Sequence, residues 1–465
     1  MNLTIIHPCV GKVPGRPYLR AWQMEPLSAA YICALTPDDI TITFRDDRME
    51  EIDFDDPADI VAISVETYTA KRSYQIASEY RRRGVPVVMG GFHPTLVPEE
   101  AVQYAESIVI GEAEGLWPAL IDDFRNGDMK RVYKNAARPV INDVMADRTI
   151  FGNRNYFPIG LIDAARGCTY ACDFCAIQQF YNTTQNWRDI PTLIEEVKII
   201  RRKHTLIFFI DDNIMACPDR AAHFFEALLP LKIKWITQAD ISATHDENML
   251  KLMKASGCQG ILIGFESLDS DNLKRMKKSF NVLRGGPAEA VKRLHKHGLR
   301  LYATFLFGYD HDSLESFQEV LDFCLEHKIF ITAFNHVTPF PGTPLYQRLK
   351  DEGRLLYDRW WLDDRYRYGM IPFRTGLPVQ TVQKKCIEAR SMFYSIQSIF
   401  RRLYNRANRS NFPVLAAYLF INLLLRNDVS RRFSLPLGDP SYRGELLKVR
   451  DSAGAQCDNS PSSVL

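Results

Sequence analysis

No stretch of this 465-residue chain strings together the ~18 uninterrupted apolar residues that a bilayer-spanning helix requires. The nearest approach, Phe412 to Leu425, is too short to span. The start lacks a basic segment followed by a long apolar run, so no secretory leader is expected. An excess of one charge is missing too. The formal net charge is +2, which gives no footprint for nucleic acid. Cysteine is sparse: ten in all, scattered except for one cluster, as suits a reducing cytoplasm rather than a disulfide framework. The scattered ones read as small buried side chains or spectators. What remains is an ordinary globular composition, 46% hydrophobic and 25% charged, in a chain long enough for two or three domains.

The exception is Ala165-Arg-Gly-Cys-Thr-Tyr-Ala-Cys-Asp-Phe-Cys175, directly after the apolar run Leu161–Ala165. Cys168, Cys172 and Cys175 stand as C-x3-C-x2-C, close enough to take three corners of one iron–sulfur cube and leave a fourth iron open. A structural zinc takes four ligands in spaced pairs, and no second Cys or His pair lies nearby. Zinc and unconnected thiols are the bland alternatives.

At these residues the chain resembles the radical S-adenosylmethionine (radical SAM) superfamily. The resemblance implies a 4Fe-4S cluster whose open iron is chelated by SAM, which is cleaved to methionine and a 5'-deoxyadenosyl radical. Phe174 matches the family's aromatic position near the adenine, and Arg166-Gly167 also looks like this family.

Ahead of the cluster, residues 2–125 alternate short apolar runs with helical patterns. Runs at 3–7, 40–44, 59–64, 86–89 and 107–110 read as strands, and Pro26–Leu35, Ala70–Arg83 and Pro98–Tyr104 as helices. That rhythm predicts a Rossmann-like, doubly wound parallel sheet, with ligands beyond the carboxyl ends of its strands. Gly90, Gly91 and Gly111 fall at such ends, where missing side chains admit a large cofactor. The phrases Gly90-Gly-Phe-His-Pro-Thr95 and Gly111-Glu-Ala-Glu114 resemble the cobalamin-binding domain fused before many radical SAM cores. The D-x-H-x-x-G pattern whose His ligates cobalt is absent. His93 is the substitute candidate, with a loop-positioning role as its alternative, and His7 is a second candidate. A Rossmann-like domain without ligand is the competing reading. The expected division is 1–130 for this domain, 131–160 for a linker and 161–350 for the radical SAM core. A helical region over 351–450 and a disordered tail over 451–465 follow.

From Leu161 six βα units predict an open, partial (β/α)6 TIM-like barrel, with functional residues at the carboxyl ends of its strands. There Asp212 is a candidate acceptor for the SAM ammonium, or an acidic helix cap. Gln238 ends the third strand. Glu266 and Ser267 end the fourth and resemble the stretch beside the SAM ribose and carboxylate, with helix capping as the alternative for Ser267. Gly308 permits a tight turn beside adenine. The turn Thr338–Tyr346 is also frequent in cobalamin-linked members.

In the last hundred residues Trp360-Trp361 and Asp364–Tyr368 read as packing or as a cover over the barrel's open side. Val379–Asn405 reads as helical. The apolar 412–425 segment, flanked by arginines, reads either as a helix buried on the barrel or as one lying among lipid headgroups.

The resemblance implies an enzyme that methylates an unactivated carbon of a small molecule with both cofactors, SAM and cobalamin. Its electrons would come from a flavodoxin- or ferredoxin-type partner. Oxidative cyclisation with the same cofactors is one alternative, and a non-catalytic iron–sulfur or cobalamin sensor is another. A membrane-touching helix would favour a lipid-like or tetrapyrrole substrate. The catalytic acid or base is unassigned.

Overall fold

Short runs of β-branched residues, apolar on both sides, build the first half of the molecule into a sheet buried on two faces. The computed structural model describes residues 1–13, 15, 18–142 and 144–449; the expected tail at 451–465 lies outside them. Strands β1 (Asn2–His7), β2 (Thr41–Asp46), β3 (Ile60–Ser64), β4 (Val87–Gly90), β5 (Ser107–Ile110) and β6 (Val132–Lys134) form one sheet. Their order is β2-β1-β3-β4-β5-β6, with every pair parallel. Leu3, Ile5, Ile60 and Ala62 face the helices Leu27–Leu35 and Trp117–Asn126, whereas Ile6, Val61, Ile63 and Met89 face Ala70–Arg82. The sheet is therefore doubly wound, and all its carboxyl ends point to one edge. Strand β6 lies inside the expected linker. Its three residues carry only one buried side chain, Tyr133, too little alternation to register as a strand in the sequence.

Strand β7 (Gly160–Ile162) opens the second sheet, and an antiparallel hairpin, β8 (Ala165–Gly167) with β9 (Gln185–Trp187), brackets the cysteines. The remaining strands are β10 (Ile207–Phe209), β11 (Trp235–Ala239), β12 (Cys258–Glu266), β13 (Arg300–Phe307) and β14 (Ile331–His336). They follow the order β14-β13-β12-β11-β10-β7, all parallel, and among the described residues no ladder joins β14 to β7. Helices start between them behind acidic or hydroxyl caps: Asp189 accepts from the Thr192 N–H, Asp246 from the Asn248 N–H and Ser313 from the Glu315 N–H. The result is an open barrel of six βα units.

The C-terminal region packs across both sheets. Trp360 and Trp361 are fully buried; Trp360 Nε1 donates to the Pro339 carbonyl (2.9 Å) and Trp361 Nε1 to Glu100 (2.8 Å). Both are packing residues that bind this region to the first domain. The helical stretch at 379–405 divides into Val379–Phe393 and Ile396–Arg402, because Ser395 caps the second piece. The helix Phe412–Asp428 departs from the buried reading. It buries polar Tyr418, Asn422 and Asp428 and leaves Phe412 80%, Phe420 57% and Leu423 41% exposed.

Candidate functional site

Gly167 turns the chain out of β8 into the cysteine loop at φ +95°, where a Cβ would collide with the Thr184 carbonyl. The loop is fixed from β10's far end. The Gly167 N–H donates to Asp212 Oδ2 (2.7 Å) and the Ala165 N–H to Asp211 Oδ1. Cys175 caps the short helix Ala176–Phe180, and its N–H donates to the Cys172 carbonyl (3.2 Å). Asn213 reaches in from the same strand end; its Nδ2 lies 3.6 Å from Cys168 Sγ and donates to Asp240 (2.8 Å). Burial pushes the thiols up, Cys172 to about 12 and Cys175 to about 11, and Cys168 likewise upward. Positively charged iron reverses that trend. No three His, Cys, Asp or Glu among the described residues gather round a single ion position. Three thiolates that each take a different iron do not need to. The loop fits a 4Fe-4S cluster.

Two cavities flank this loop. The first, about 420 Å³, lies between the carboxyl edge of the first sheet and the barrel. It is lined by His7, Gly90, Gly91, Gly111, Arg166 and Asp212, with Phe180 and Tyr181 from beyond the cysteines. Gly91, at φ +101°, lets the chain pass close to the Val65 carbonyl, which a Cβ would approach to 2.9 Å. A Cβ at Gly111 would meet nothing within 4 Å, so that edge stays open. His7 Nδ1 is buried there without a hydrogen-bond partner, and burial lowers the ring to about 3, so it is neutral. An open glycine edge and an orphaned imidazole nitrogen fit a large cofactor such as cobalamin.

His93 lies away from the first cavity. Its ring is fully buried outside the cavity lining, with Nε2 3.1 Å from Glu100 Oε1 and Nδ1 3.4 Å from Thr67 Oγ1. The short helix Phe92–Leu96 that follows Gly91 swings it into the protein, where it faces Trp361 edge-on. Both of its ring nitrogens face protein partners there.

The second cavity, about 460 Å³, occupies the barrel. Phe174, Cys175, Ala176 and Ile177 line it with Glu266, and further round with Tyr68, His336, Tyr368, Arg390 and Arg432. Glu266 takes a positive φ (+62°) and accepts from Lys278 Nζ at 2.7 Å. Ser267 accepts from the Asp269 N–H (3.0 Å), and Asp269, not Ser267, caps the next helix. The Gly308 N–H donates to Asp312 (2.7 Å), which fixes the turn after β13. Gly308 and Gln238 line neither cavity, and Asp212 lines the first rather than the barrel cavity. Burial raises Asp212 to about 6.

One network was not foreseen from the sequence. Arg166 donates to Asp163 (2.5 Å) and Glu114 (2.7 Å), while Arg138 donates to Glu112 (2.7 Å). The Arg166 guanidinium also sits 4.6 Å from the Tyr31 ring centroid. The acidic residues of Gly111-Glu-Ala-Glu114 thus brace the first domain against the strand that leads into the cysteine loop. A lone Arg before the cluster and two Glu after a strand-end glycine were the available signals.

Comparison with known proteins agrees with this geometry. The model of the radical SAM superfamily matches residues 162–324, and that of the B12 binding domain matches 22–121. A domain of unknown function, DUF4070, matches 343–415. The chain is 31% identical over 392 residues to bacteriochlorophyllide d C-12(1)-methyltransferase of Chlorobaculum tepidum, covering 82% of this chain and 85% of that one. It is 27% identical to the bacteriochlorophyllide d C-8(2)-methyltransferase of the same organism, over 72% and 78% of the two chains. The solved structure of the radical SAM methyltransferase TsrM from Kitasatospora setae, with cobalamin and a 4Fe-4S cluster bound, superposes with a TM-score of 0.60 at 16% identity. That match covers 76% of this chain and 78% of TsrM, and it bears on the fold alone.

Proposed function

The chain belongs to the cobalamin-binding branch of the radical SAM superfamily, and from that premise we propose that it methylates an unactivated carbon of a tetrapyrrole. The observation that carries this reading is the cysteine loop with a cavity on each side, one in the cobalamin-binding domain and one in the barrel. When bound, the cluster with SAM supplies a 5'-deoxyadenosyl radical that takes a hydrogen atom, and cobalamin supplies the methyl group that replaces it. Cys168, Cys172 and Cys175 hold three irons, and Phe174 packs beside SAM. Glu266, fixed by Lys278, orients the SAM polar groups from the barrel cavity, and Ser267 and Gly308 shape the strand-end turns that border it. Gly90, Gly91 and Gly111 leave room for the corrin. Asp212 supports the cysteine loop from the cobalamin side.

The test is anaerobic reconstitution with cobalamin, counting iron, sulfide and cobalt, followed by turnover with a flavodoxin- or ferredoxin-type donor. Methyl transfer predicts 5'-deoxyadenosine and S-adenosylhomocysteine together, and Cys172→Ala should lose the cluster absorption and both products. 5'-Deoxyadenosine without S-adenosylhomocysteine would point to oxidative cyclisation, and neither product from loaded protein to a sensor.

We further propose that the protein rests on an anionic bilayer surface. The helix Phe412–Asp428 is inverted: Tyr418 and Asn422 face inward, the latter accepting from Arg402 (3.0 Å), while Phe412, Phe420 and Leu423 face out. Phe400 and Tyr404 extend the patch, at 59% and 77% exposure, and exposed Arg401, Arg406, Arg409 and Arg426 surround it. That is the pattern of an interfacial helix, and among the described residues no helix is long and apolar enough to cross a membrane. Full-length protein should sediment with vesicles containing phosphatidylglycerol and less with pure phosphatidylcholine. Changing Phe412, Phe420 and Leu423 to Ser should release it. Unaltered sedimentation, or a dimer in solution that the same changes dissociate, would overturn this.

A further inference from the structure

The barrel cavity carries two guanidiniums, and among the described residues only one of them, Arg432, has a carboxylate within ion-pair distance. Arg390, on the helix Val379–Phe393, is held against the end of β14 by one edge only: Nη2 donates to the Phe334 carbonyl (2.7 Å) and to Asn335 Oδ1 (3.1 Å). Its Cζ lies 5.3 Å from the Phe433 ring centroid, so the guanidinium plane has an aromatic support. No carboxylate among the described residues pairs with it. Arg432 lines the same cavity. It is supported by Trp22 at 5.6 Å and forms a long ion pair with Asp428 at 3.6 Å, while its Nε is buried without a hydrogen-bond partner. Asp428 is shared with Arg431 at 3.8 Å. The other titratable groups at this cavity leave the positive charge standing. Glu266 is taken by Lys278, and burial lowers His336 to about 4, which leaves it neutral. Burial and the neighbouring Arg432 both lower Arg390.

A guanidinium withdrawn from water without an anion is costly, and two at one cavity wall repel each other. Arginine's planar fork matches a carboxylate bidentately, and such charge-assisted pairs are the strong ones. The same cavity is lined by Phe174 and Cys175, so a ligand held by the arginines lies in the chamber where the cluster stands.

We propose that Arg390 and Arg432 bind a carboxylate on a side chain of the substrate and so orient its reacting carbon. The inference rests on the reading of the barrel cavity as the place of a tetrapyrrole substrate. SAM carries a carboxylate too, and the experiment separates the two sources.

The protein is the full chain reconstituted with cluster and cobalamin. The probes are pheophorbide a, a chlorin with one free propionate, and its methyl ester, followed by fluorescence anisotropy; SAM binding is measured in parallel by equilibrium dialysis. The acid should bind about tenfold or more tighter than the ester. Arg390→Gln, and more fully Arg390→Gln with Arg432→Gln, should bring the acid down to the ester's affinity. Ester and SAM binding should stay unchanged, which also shows that the variants fold. Equal affinity of acid and ester, or a preference that survives the double substitution, overturns the inference and leaves the proposed function standing. Loss of SAM binding in the variants overturns it in favour of the SAM carboxylate. Binding of neither probe removes the tetrapyrrole reading and this inference with it.

Discussion

Replacing Glu114 by Gln probes the brace between the two domains with little change in shape. Glu114 Oε1 is 2.7 Å from Arg166 Nη1, and the two side chains are 6% and 13% exposed, so water screens the pair weakly. Unit charges about 4 Å apart at an effective dielectric of about 20 attract by about 4 kcal/mol. Gln keeps an acceptor oxygen, and Arg166 keeps Asp163 at 2.5 Å and Glu112 at 3.6 Å, so about half of this should be lost. A net cost of about 2 kcal/mol corresponds to a fall in melting temperature of about 4–8 °C for a domain of this size. Differential scanning calorimetry of Glu114→Gln, Arg166→Gln and the double variant gives the coupling directly, expected at about 2 kcal/mol. Cobalt loading should fall while iron loading holds, because the brace positions the Gly111 edge and leaves the three cysteines in place. A coupling below about 0.5 kcal/mol would refute the brace.

Three further outcomes are expected. Asn213→Ala should leave iron content intact but shift the cluster's reduction potential downward, since an N–H donor at Cys168 Sγ is removed; an unchanged voltammogram counts against that contact. Gly167→Ala forces a side chain onto a left-handed backbone and into the Thr184 carbonyl, and should lower cluster loading or soluble yield; wild-type levels of both would contradict the described turn. Burial alone would raise Asp47, but Arg72's hydrogen bonds and charge outweigh it and hold the carboxyl at about 2, below the ordinary 3.8. Because the folded value is the lower one, this stabilisation of about 2 kcal/mol is present above pH ~4 and fades as pH falls through about 2. Acid titration should show that loss in the wild type and not in Arg72→Gln.

The periodicity of the sequence carried the architecture well because both sheets are parallel and doubly covered. Their strands are apolar runs, and their helices are amphipathic and capped. The cysteine cluster was legible because its chemistry depends on close spacing along the chain. The two roles left open for His93 have a physical origin: a strand-end histidine can turn toward the cavity or the core, and the short helix after Gly91 decides which. The composition of the Phe412 helix left two readings open. Its apolar content fits burial or a lipid surface alike, and the inward residues are Asn422 and Tyr418, because Arg402 and the Ile399 carbonyl need partners there. Contacts such as Glu114 with Arg166, 52 residues apart, leave no local trace.

The one-turn helix Ala176–Phe180 ends where Phe180 and Tyr181 border the cobalamin-side cavity, and it begins with Ala176 and Ile177 bordering the barrel cavity. It is a party wall. A carbon that gives up hydrogen in one chamber and gains a methyl from the other has to meet both suppliers across this single turn of backbone. Any shift of it enlarges one room at the expense of its neighbour. Because Cys175 is its first cap, the partition is tethered to the cluster, so the position of the wall and the geometry of the metal site are linked.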